Sequence, residues 1–259
     1  MIFLTLSTGY HHIFIALSDK EKLIAKKEIE NKLASKNLIL IIDEILKENN
    51  LKLSDVKFIC VNQGPAPFTS LRTSIATANG IAFATNIPLV GVNGLDALMN
   101  EYYGPKFDLN VAILNAFAGD VYFEIAPKHV SGTPEKGTEK SSLRLSGSSN
   151  SASYGGQSSH SCDQNYLSND LKDKHIIRSS EEAKTEKLEK FITRFSKDSK
   201  DKIQIFGHIS IFKNLLKDFE NITLLEVDSA SVEKVAQMGY QNWLEQKNIT
   251  NQIFPLYLK

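Results

Sequence analysis

Residues 58–98 read FICVNQGPAPFTSLRTSIATANGIAFATNIPLVGVNGLDAL, and this stretch decides the fold. A short apolar run, Phe58–Val61, precedes the turn Asn62–Pro65, and the apolar spacing then changes to a period near 3.6. This change predicts a strand that enters a helix over residues 68–85. Leu89–Val92 form a second apolar run. The stretch therefore predicts a strand, a helix and a parallel strand, joined by a right-handed crossover.

The helix predicted over residues 68–85 has two unlike faces. One face is apolar and is expected to pack on a sheet; it carries Leu71, Ile75, Ala78 and Ala82. The opposite face carries Thr73, Ala76, Thr77, Gly80 and Ala84. A glycine inside a helix costs about 1 kcal/mol relative to alanine, and small residues let another backbone come close. We therefore expect either a neighbouring element of this chain or a helix of another subunit to lie on this face.

A second helix is expected from Ser35, a possible N-cap, to about Glu48. Its apolar residues cover roughly 260° of the helix circumference, whereas a helix on a sheet needs a stripe of a little over ~100°. The apolar surface beyond that stripe must be covered by helix 68–85 or by a partner. The predicted partner interface consists of Leu38, Ile39, Ile42, Leu46, Thr73, Ala76, Thr77, Gly80 and Ala84.

Two hairpins predict two similar halves. Strands Ile2–Leu6 and Ile13–Leu17 open the chain, and Leu109–Leu114 begins a second hairpin whose return strand reaches Ile125. We expect an N-terminal lobe over residues 1–105 and a C-terminal lobe over residues 106–259.

Residues 128–174 differ in composition from the rest of the second lobe. Twelve serines lie between Ser131 and Ser168, among glycines, charged residues and few aliphatic side chains. Such a segment buries too little apolar surface to offset the entropy of ordering, so we expect a disordered low-complexity insertion.

Composition limits the function classes. The 30 basic and 30 acidic residues cancel, so the sequence lacks the basic excess expected of a chain that grips nucleic acid unaided. Cys60 and Cys162 form neither a disulfide framework nor a CxxC metal pair. No stretch of 18 apolar residues occurs, and we expect a cytoplasmic protein with no membrane partner.

Sequence motifs of catalysis and cofactor binding are absent. The chain has no phosphate-binding GxxxxGK[ST] loop, no GxGxxG, no HExxH and no GxSxG. His11 and His12 are adjacent and are expected to be surface turn residues, with a metal site as the alternative. We therefore expect no catalytic residue, no cofactor and no metal site.

The segment Gly64–Arg72, GPAPFTSLR, resembles the GPGSFTGLR segment of the TsaB (YeaZ) family, from which it departs at Ala66, Pro67 and Ser70. The resemblance implies a two-lobed actin-like, Hsp70-like or sugar-kinase α/β fold, a duplicated RNase H-like architecture, here with the serine-rich insertion in the second lobe. It also implies a non-catalytic subunit of the bacterial machinery that makes threonylcarbamoyladenosine in tRNA. Such a subunit docks on the catalytic paralogue TsaD or on a second copy of itself through the two helices. It also recruits the ATPase TsaE, and it meets tRNA only through the complex.

Two departures from the superfamily pattern bear on catalysis. The resemblance places Ser7 and Asn115 where the superfamily and the family carry acidic residues. A neutral side chain cannot act as the carboxylate ligand that magnesium favours. Two alternatives stay open: an ATP-dependent phosphotransferase, ATPase or glycoprotease-like enzyme of the actin-like superfamily, and a homodimeric binding module without a role in tRNA modification.

Overall fold

The computed structural model describes residues 1–117, 120–127, 174–177, 200–211 and 220–256. Within these residues the fold is a mixed α/β arrangement with two sheets. Two short 3-10 turns are also described, Leu53–Asp55 and Ile209–Ile211.

The first sheet has six strands in the order β11-β5-β4-β1-β2-β3. The parallel pairing of β4 with β1 and β5 places the carboxyl ends of these three strands at one edge, and it confirms the predicted strand, helix and parallel strand. The antiparallel pairing of β1 with β2 confirms the first hairpin. The strands are Ile2–Thr8 (β1), His12–Asp19 (β2), Lys22–Glu30 (β3), Ile59–Asn62 (β4), Leu89–Val92 (β5) and Ile249–Thr250 (β11).

Four α-helices are described; three of them cover the two faces of the first sheet, and the fourth, α3, packs against the second sheet. On one face α1 lies over β2 and β3, and α2 lies over β1, β4 and β5; α4 packs on the other face against β1, β2, β4 and β5. The predicted apolar face of α2 is buried in this core. The helices are Asn31–Glu48 (α1), Phe68–Thr85 (α2), Gly94–Tyr102 (α3) and Val232–Leu244 (α4).

The start of α1 corrects the prediction that Ser35 is its N-cap. The helix begins four residues earlier, directly after β3, because Asn31 is anchored to the turn between β1 and β2. Its side-chain amide donates to the carbonyl oxygens of Gly9 (3.2 Å) and Tyr10 (2.9 Å), and its backbone N–H donates to His11. These contacts fix the first turn, so Ser35 lies inside the helix.

The second sheet has five strands in the order β10-β9-β6-β7-β8. The antiparallel pairing of β6 with β7 confirms the second predicted hairpin. Strand β8 was not predicted, because no apolar alternation marks it. The strands are Leu109–Phe117 (β6), Asp120–Pro127 (β7), Lys174–Ile177 (β8), Ile203–Gly207 (β9) and Ile222–Glu226 (β10).

The division into lobes 1–105 and 106–259 stays a prediction. Helix α4 and strand β11, which the sequence assigned to the second lobe, pack with the first sheet. The expected insertion 128–174, apart from Lys174 at the start of β8, lies outside the described residues. The pattern from Ser179 to Glu182, which fits a capping box, also predicts a helix, and these residues lie outside the described ones too.

Candidate protein-interaction surface

The outer side of helices α1 and α2 is the most distinctive surface among the described residues. Both helices contribute to one core cluster on the same face of the first sheet, and they contact each other within that layer. Their side chains that point away from the sheet therefore share one outer surface. We call it the α1–α2 surface; it is formed by Ile39, Leu40, Ala76, Gly80, Phe83 and Ala84.

Helix α1 buries part of its apolar circumference and exposes the rest. Leu38, Ile42 and Leu46 are buried in the core of this chain, so they lie beneath the outer surface and do not form it. The predicted interface stays a prediction, and within this chain these three residues pack into the core. Ile39 and Leu40 are 63% and 58% exposed. The surplus of apolar residues read from the sequence therefore exists as exposed side chains.

Helix α2 exposes a row of small residues and two aromatic rings. Ala76, Gly80 and Ala84 are exposed, and the predicted interface residues Thr73 and Thr77 beside them are half-buried. Apart from the adjoining backbone of α2 itself, no described atom lies within 4 Å of the position that a Cβ would take at residue 80, so no neighbouring element requires glycine there. Phe68 and Phe83 are the large exposed apolar side chains of this helix, and Phe83 is 90% exposed.

The C-terminal segment lies on the same face of the sheet as α1 and α2. Ile253 is buried in the core cluster that contains the inner residues of both helices. Asn79 of α2 holds it by two bonds: its side-chain amide donates to the Ile253 carbonyl and its oxygen accepts from the Ile253 N–H, both at 2.9 Å. Gln63 adds a bond from Nε2 to the Phe254 carbonyl at 3.0 Å. The segment therefore borders α2 and presents Phe254, 63% exposed, beside it.

Replacing Asn79 by alanine is expected to release this segment. The variant loses two hydrogen bonds and leaves the Ile253 N–H without its partner, which costs about 1–3 kcal/mol of unfolding free energy. Amide exchange at Ile253 reports the release directly, and urea unfolding gives the free energy. Asn242→Ala serves as the control, because Asn242 donates a single bond to Gly91 on the opposite face of the sheet. Unchanged exchange at Ile253 would contradict this role of Asn79.

An apolar cavity of about 440 Å³ lies at the N-terminal end of α2. Arg72 contacts one of its lining residues, since its guanidinium carbon lies 3.6 Å from the centre of the Phe68 ring. The cavity therefore extends the apolar character of the helix face toward the β6–β7 hairpin. It is lined by Pro65, Ala66, Pro67, Phe68, Thr69, Leu71, Ala116, Tyr122 and Leu256.

The carboxyl ends of β1 and β6 carry neutral side chains at the two positions singled out in the sequence. Ser7 is buried, and its hydroxyl accepts a bond from the Asn62 amide at 3.3 Å. The oxygen of Asn62 accepts from the Gly64 N–H at 2.9 Å, so these residues fix the turn that leads into α2. At the second position, the backbone N–H of Asn115 donates to His208 Nδ1 at 3.1 Å.

A second cavity, of about 260 Å³, lies beside the turn between β1 and β2. His11 and His12 line it together with Asp228, Lys26 and Glu233. Lys26 and Glu233 are paired at 2.8 Å, and His11 Nε2 lies 4.0 Å from Asp228. Over the described ranges of the chain, no group of three or more His, Cys, Asp or Glu side chains could hold a metal ion.

Three parts of this surface were missed by the sequence analysis. Phe83 was overlooked although it follows Ala76 and Gly80 at helical spacing, a signal that the sequence contains. The contributions of Phe254 and Asn79 depend on a contact between residues 174 positions apart, for which the sequence holds no local signal.

Among the described helices, none has the length and apolar character needed to cross a membrane.

Comparisons with known proteins place similarity on the region that carries both helices. The family model described as TsaD, tRNA N6-adenosine threonylcarbamoyltransferase, matches residues 26–122. The tRNA threonylcarbamoyladenosine biosynthesis protein TsaB of Haemophilus influenzae is 28% identical over 121 residues, 46% of this chain and 51% of that protein. The tRNA N6-adenosine threonylcarbamoyltransferase of Clostridioides difficile is 29% identical over 82 residues, 32% of this chain and 24% of that protein.

A solved structure matches the chain over its whole length. YeaZ from Pseudomonas aeruginosa aligns with a TM-score of 0.61 and 17% identity, and the alignment covers 99% of both chains. At this identity the likeness supports the fold. The sequence matches are shorter: the chain spans about half the length of the curated TsaB relatives it matches.

Proposed function

We propose that this chain belongs to the TsaB (YeaZ) family, to which its curated TsaB relatives point, and that it is a non-catalytic scaffold subunit in the synthesis of threonylcarbamoyladenosine in tRNA. In this proposal it binds and activates a TsaD-like threonylcarbamoyltransferase. It also recruits a TsaE-like ATPase and meets tRNA only through the complex. The proposal includes the cytoplasmic location expected from the sequence.

The α1–α2 surface is the observation that carries the proposal. Exposed apolar patches mark interaction sites in many proteins, and here two aliphatic side chains of α1 and a phenylalanine of α2 are exposed on two helices that contact each other. The small residues of α2 permit a partner helix to approach its backbone closely, as ridge-and-groove packing requires. Gly80 supports this use most directly, because a side chain there would project into open space.

A TsaD-like partner fits this surface because the two families share the same unit. The TsaD family model matches residues 26–122, which contain β4 and β5 together with all of α1 and α2. A paralogue with this unit presents an equivalent pair of helices. Two such pairs would then pack in a helical bundle with apolar residues at its centre. The same geometry also allows a homodimer, which is the competing occupant of the surface.

The neutral side chain of Ser7 at the carboxyl edge of the first sheet supports a non-catalytic role. Ser7 is bonded to Asn62 and is buried, so it contributes a neutral hydroxyl where magnesium-phosphate chemistry would use a carboxylate. Calorimetric titration of the isolated chain with magnesium and ATP tests this part of the proposal. Tight magnesium-dependent binding would favour the enzyme alternative.

Mixing the purified chain with the TsaD protein of the same organism tests the partner. Light scattering should give the mass of a mixed complex, and Ile39→Glu should weaken it by about 2 kcal/mol, roughly thirtyfold, because a charge would be buried without a counter-ion. Leu244→Glu is the matched control, since Leu244 is 54% exposed on α4 at the opposite face. A mixed complex that forms equally well with both variants would contradict the proposed surface. A chain that dimerises and ignores TsaD would favour the homodimeric module.

A further inference from the structure

His208 lies where four segments of the chain meet. It follows β9 directly, and its side chain packs against the turn between β1 and β2, the end of β6 and the loop between β10 and α4. Tyr10 from the turn sets its ring edge against the imidazole, with ring centroids 4.0 Å apart and an interplanar angle of 78°. The histidine is 9% exposed. It therefore connects an element of the first sheet to an element of the second.

Asn115, near the end of β6, is held at both of its backbone groups by this cluster. Its N–H donates to His208 Nδ1 at 3.1 Å, and its carbonyl oxygen accepts from the Tyr10 hydroxyl. An imidazole nitrogen accepts a hydrogen bond only when it carries no proton. The observed contact therefore requires a neutral His208 whose proton sits on Nε2.

The charged groups around the imidazole come from three sides. Asp228 Oδ1, in the loop between β10 and α4, lies 3.6 Å from His208 Nε2, and Glu226 adds a negative charge at the end of β10. His11 from the turn faces Asp228 from the other side. Burial lowers the pKa of His208, and the carboxylates of Asp228 and Glu226 oppose that effect. Burial also raises the pKa of Tyr10 far above its usual value, so its hydroxyl remains a donor.

We propose that His208 is a pH-sensitive latch between the β6–β7 hairpin and the turn between β1 and β2. In the neutral form Nδ1 holds the Asn115 N–H. Protonation gives Nδ1 a hydrogen that points at the Asn115 N–H, so two donors repel each other. The positive charge also strengthens the attraction of Nε2 to Asp228, and the ring therefore moves away from Asn115. Tyr10, His11 and Asp228 line the cavity of about 260 Å³ beside the turn, and release of the latch therefore changes one wall of that cavity.

The pH range of the latch follows from the direction of the pKa shift. A histidine whose folded-state pKa is below its unfolded value of about 6.5 stabilises the fold while it is neutral. That contribution is complete above the unfolded pKa and is lost as the pH falls through the lowered folded pKa. The latch is therefore closed at neutral pH and opens in mildly acidic solution, independently of whether the α1–α2 surface binds a partner.

Amide exchange at Asn115 in the full chain tests the latch. Its protection factor is expected to fall about tenfold or more between about pH 7.5 and pH 5. Each pH unit changes the ratio of protonated to neutral imidazole about tenfold. The Leu4 N–H, which donates to Phe58 in the first sheet, is the internal reference and should keep its protection factor. Constant protection at Asn115 over this range would overturn the proposal.

Two variants separate the titration from the hydrogen bond. His208→Asn places an uncharged oxygen near the position of Nδ1, so Asn115 should stay protected and lose its pH dependence. His208→Leu removes the acceptor, so protection should be low at every pH. His12→Asn makes the same change at the first residue of β2, as the matched control, and should behave as the natural chain. A His208→Asn variant that keeps the pH dependence would overturn the proposal.

A measurement on the natural chain covers the case in which these variants do not fold. In nuclear magnetic resonance titrations, the imidazole of His208 and the amide of Asn115 should shift with one common midpoint below about 6.5. Different midpoints would overturn the latch, since the two groups would then titrate independently.

Discussion

Gly80→Arg is expected to abolish binding of the chain to its proposed TsaD-like partner while leaving the fold intact. Outside the adjoining backbone of α2, no described atom lies within 4 Å of the position that a Cβ would take at residue 80, so the isolated chain can accept the long side chain without a clash. Arginine also has a helix propensity about 0.8 kcal/mol better than glycine, so stability should stay equal or rise. In a complex, the same side chain would hold the partner helix away from α2 and bury a charge.

The expected loss of affinity is about a hundredfold or more, equivalent to about 2.7 kcal/mol. Calorimetry or light scattering with the partner protein measures it, and circular dichroism confirms that the variant is folded. Gln241→Arg introduces the same side chain at an exposed position of α4, on the opposite face of the sheet, and should bind normally. Undiminished binding by Gly80→Arg would remove the helix face from the proposal.

Gly239→Ala is expected to destabilise the chain by about 2–3 kcal/mol, the range found for overpacked cores. Gly239 lies in α4, and a Cβ there would sit 2.2 Å from Cys60 Sγ and 2.9 Å from Cys60 Cβ in β4. The sheet side of this contact is fully buried, so neither element can yield without moving its neighbours. The helix must shift away from the sheet, and the loss outweighs the gain in helix propensity.

Gly80→Ala provides the matched control, because it makes the same change inside a helix at an open position. It should raise the unfolding free energy by about 0.5–1 kcal/mol. Urea unfolding can be followed by Trp243, the only tryptophan of the chain, which stacks on Phe58 with ring centroids 4.7 Å apart. Cys60→Ala should restore part of the loss in Gly239→Ala, since it removes the closest atom. Equal effects of the two glycine substitutions would contradict this account.

The bounds and the inner face of α2 could be predicted from the sequence because both depend on local patterns. Apolar residues at helical spacing identify the side that packs on the sheet, and Pro88 follows the last turn closely enough to limit the helix. The parallel pairing of β4 with β5 follows from the length of the helix between them. These features involve residues close together in the chain.

The start of α1 could not be predicted in the same way. Ser35 carries the usual sequence signal of an N-cap, yet the helix begins at Asn31. The reason is a contact between Asn31 and a turn about 20 residues earlier, which satisfies the first turn of the helix from outside. A tertiary hydrogen bond thus overrides a local preference that is worth about 1 kcal/mol.

The extent of the α1–α2 surface also needed the tertiary structure. Hydrophobicity alone placed Leu38 and Ile39 in one interface, although they are neighbours on a helix and point about 100° apart. Packing against α2 and the sheet buries Leu38 and leaves Ile39 exposed. The sequence could count the surplus of apolar residues but could not divide it between core and surface.

By itself, the sequence determined the alternation of strands and helices, the two hairpins, the apolar face of α2 and the resemblance to the TsaB family. These depend on residue spacing within one element, which sterics and solvent exclusion fix locally. Only the tertiary structure decided which apolar side chains remain exposed, how the C-terminal segment is fastened beside α2, and how His208 connects the two sheets. Those features depend on contacts between residues far apart in the chain, whose closeness results from the packing of the whole core.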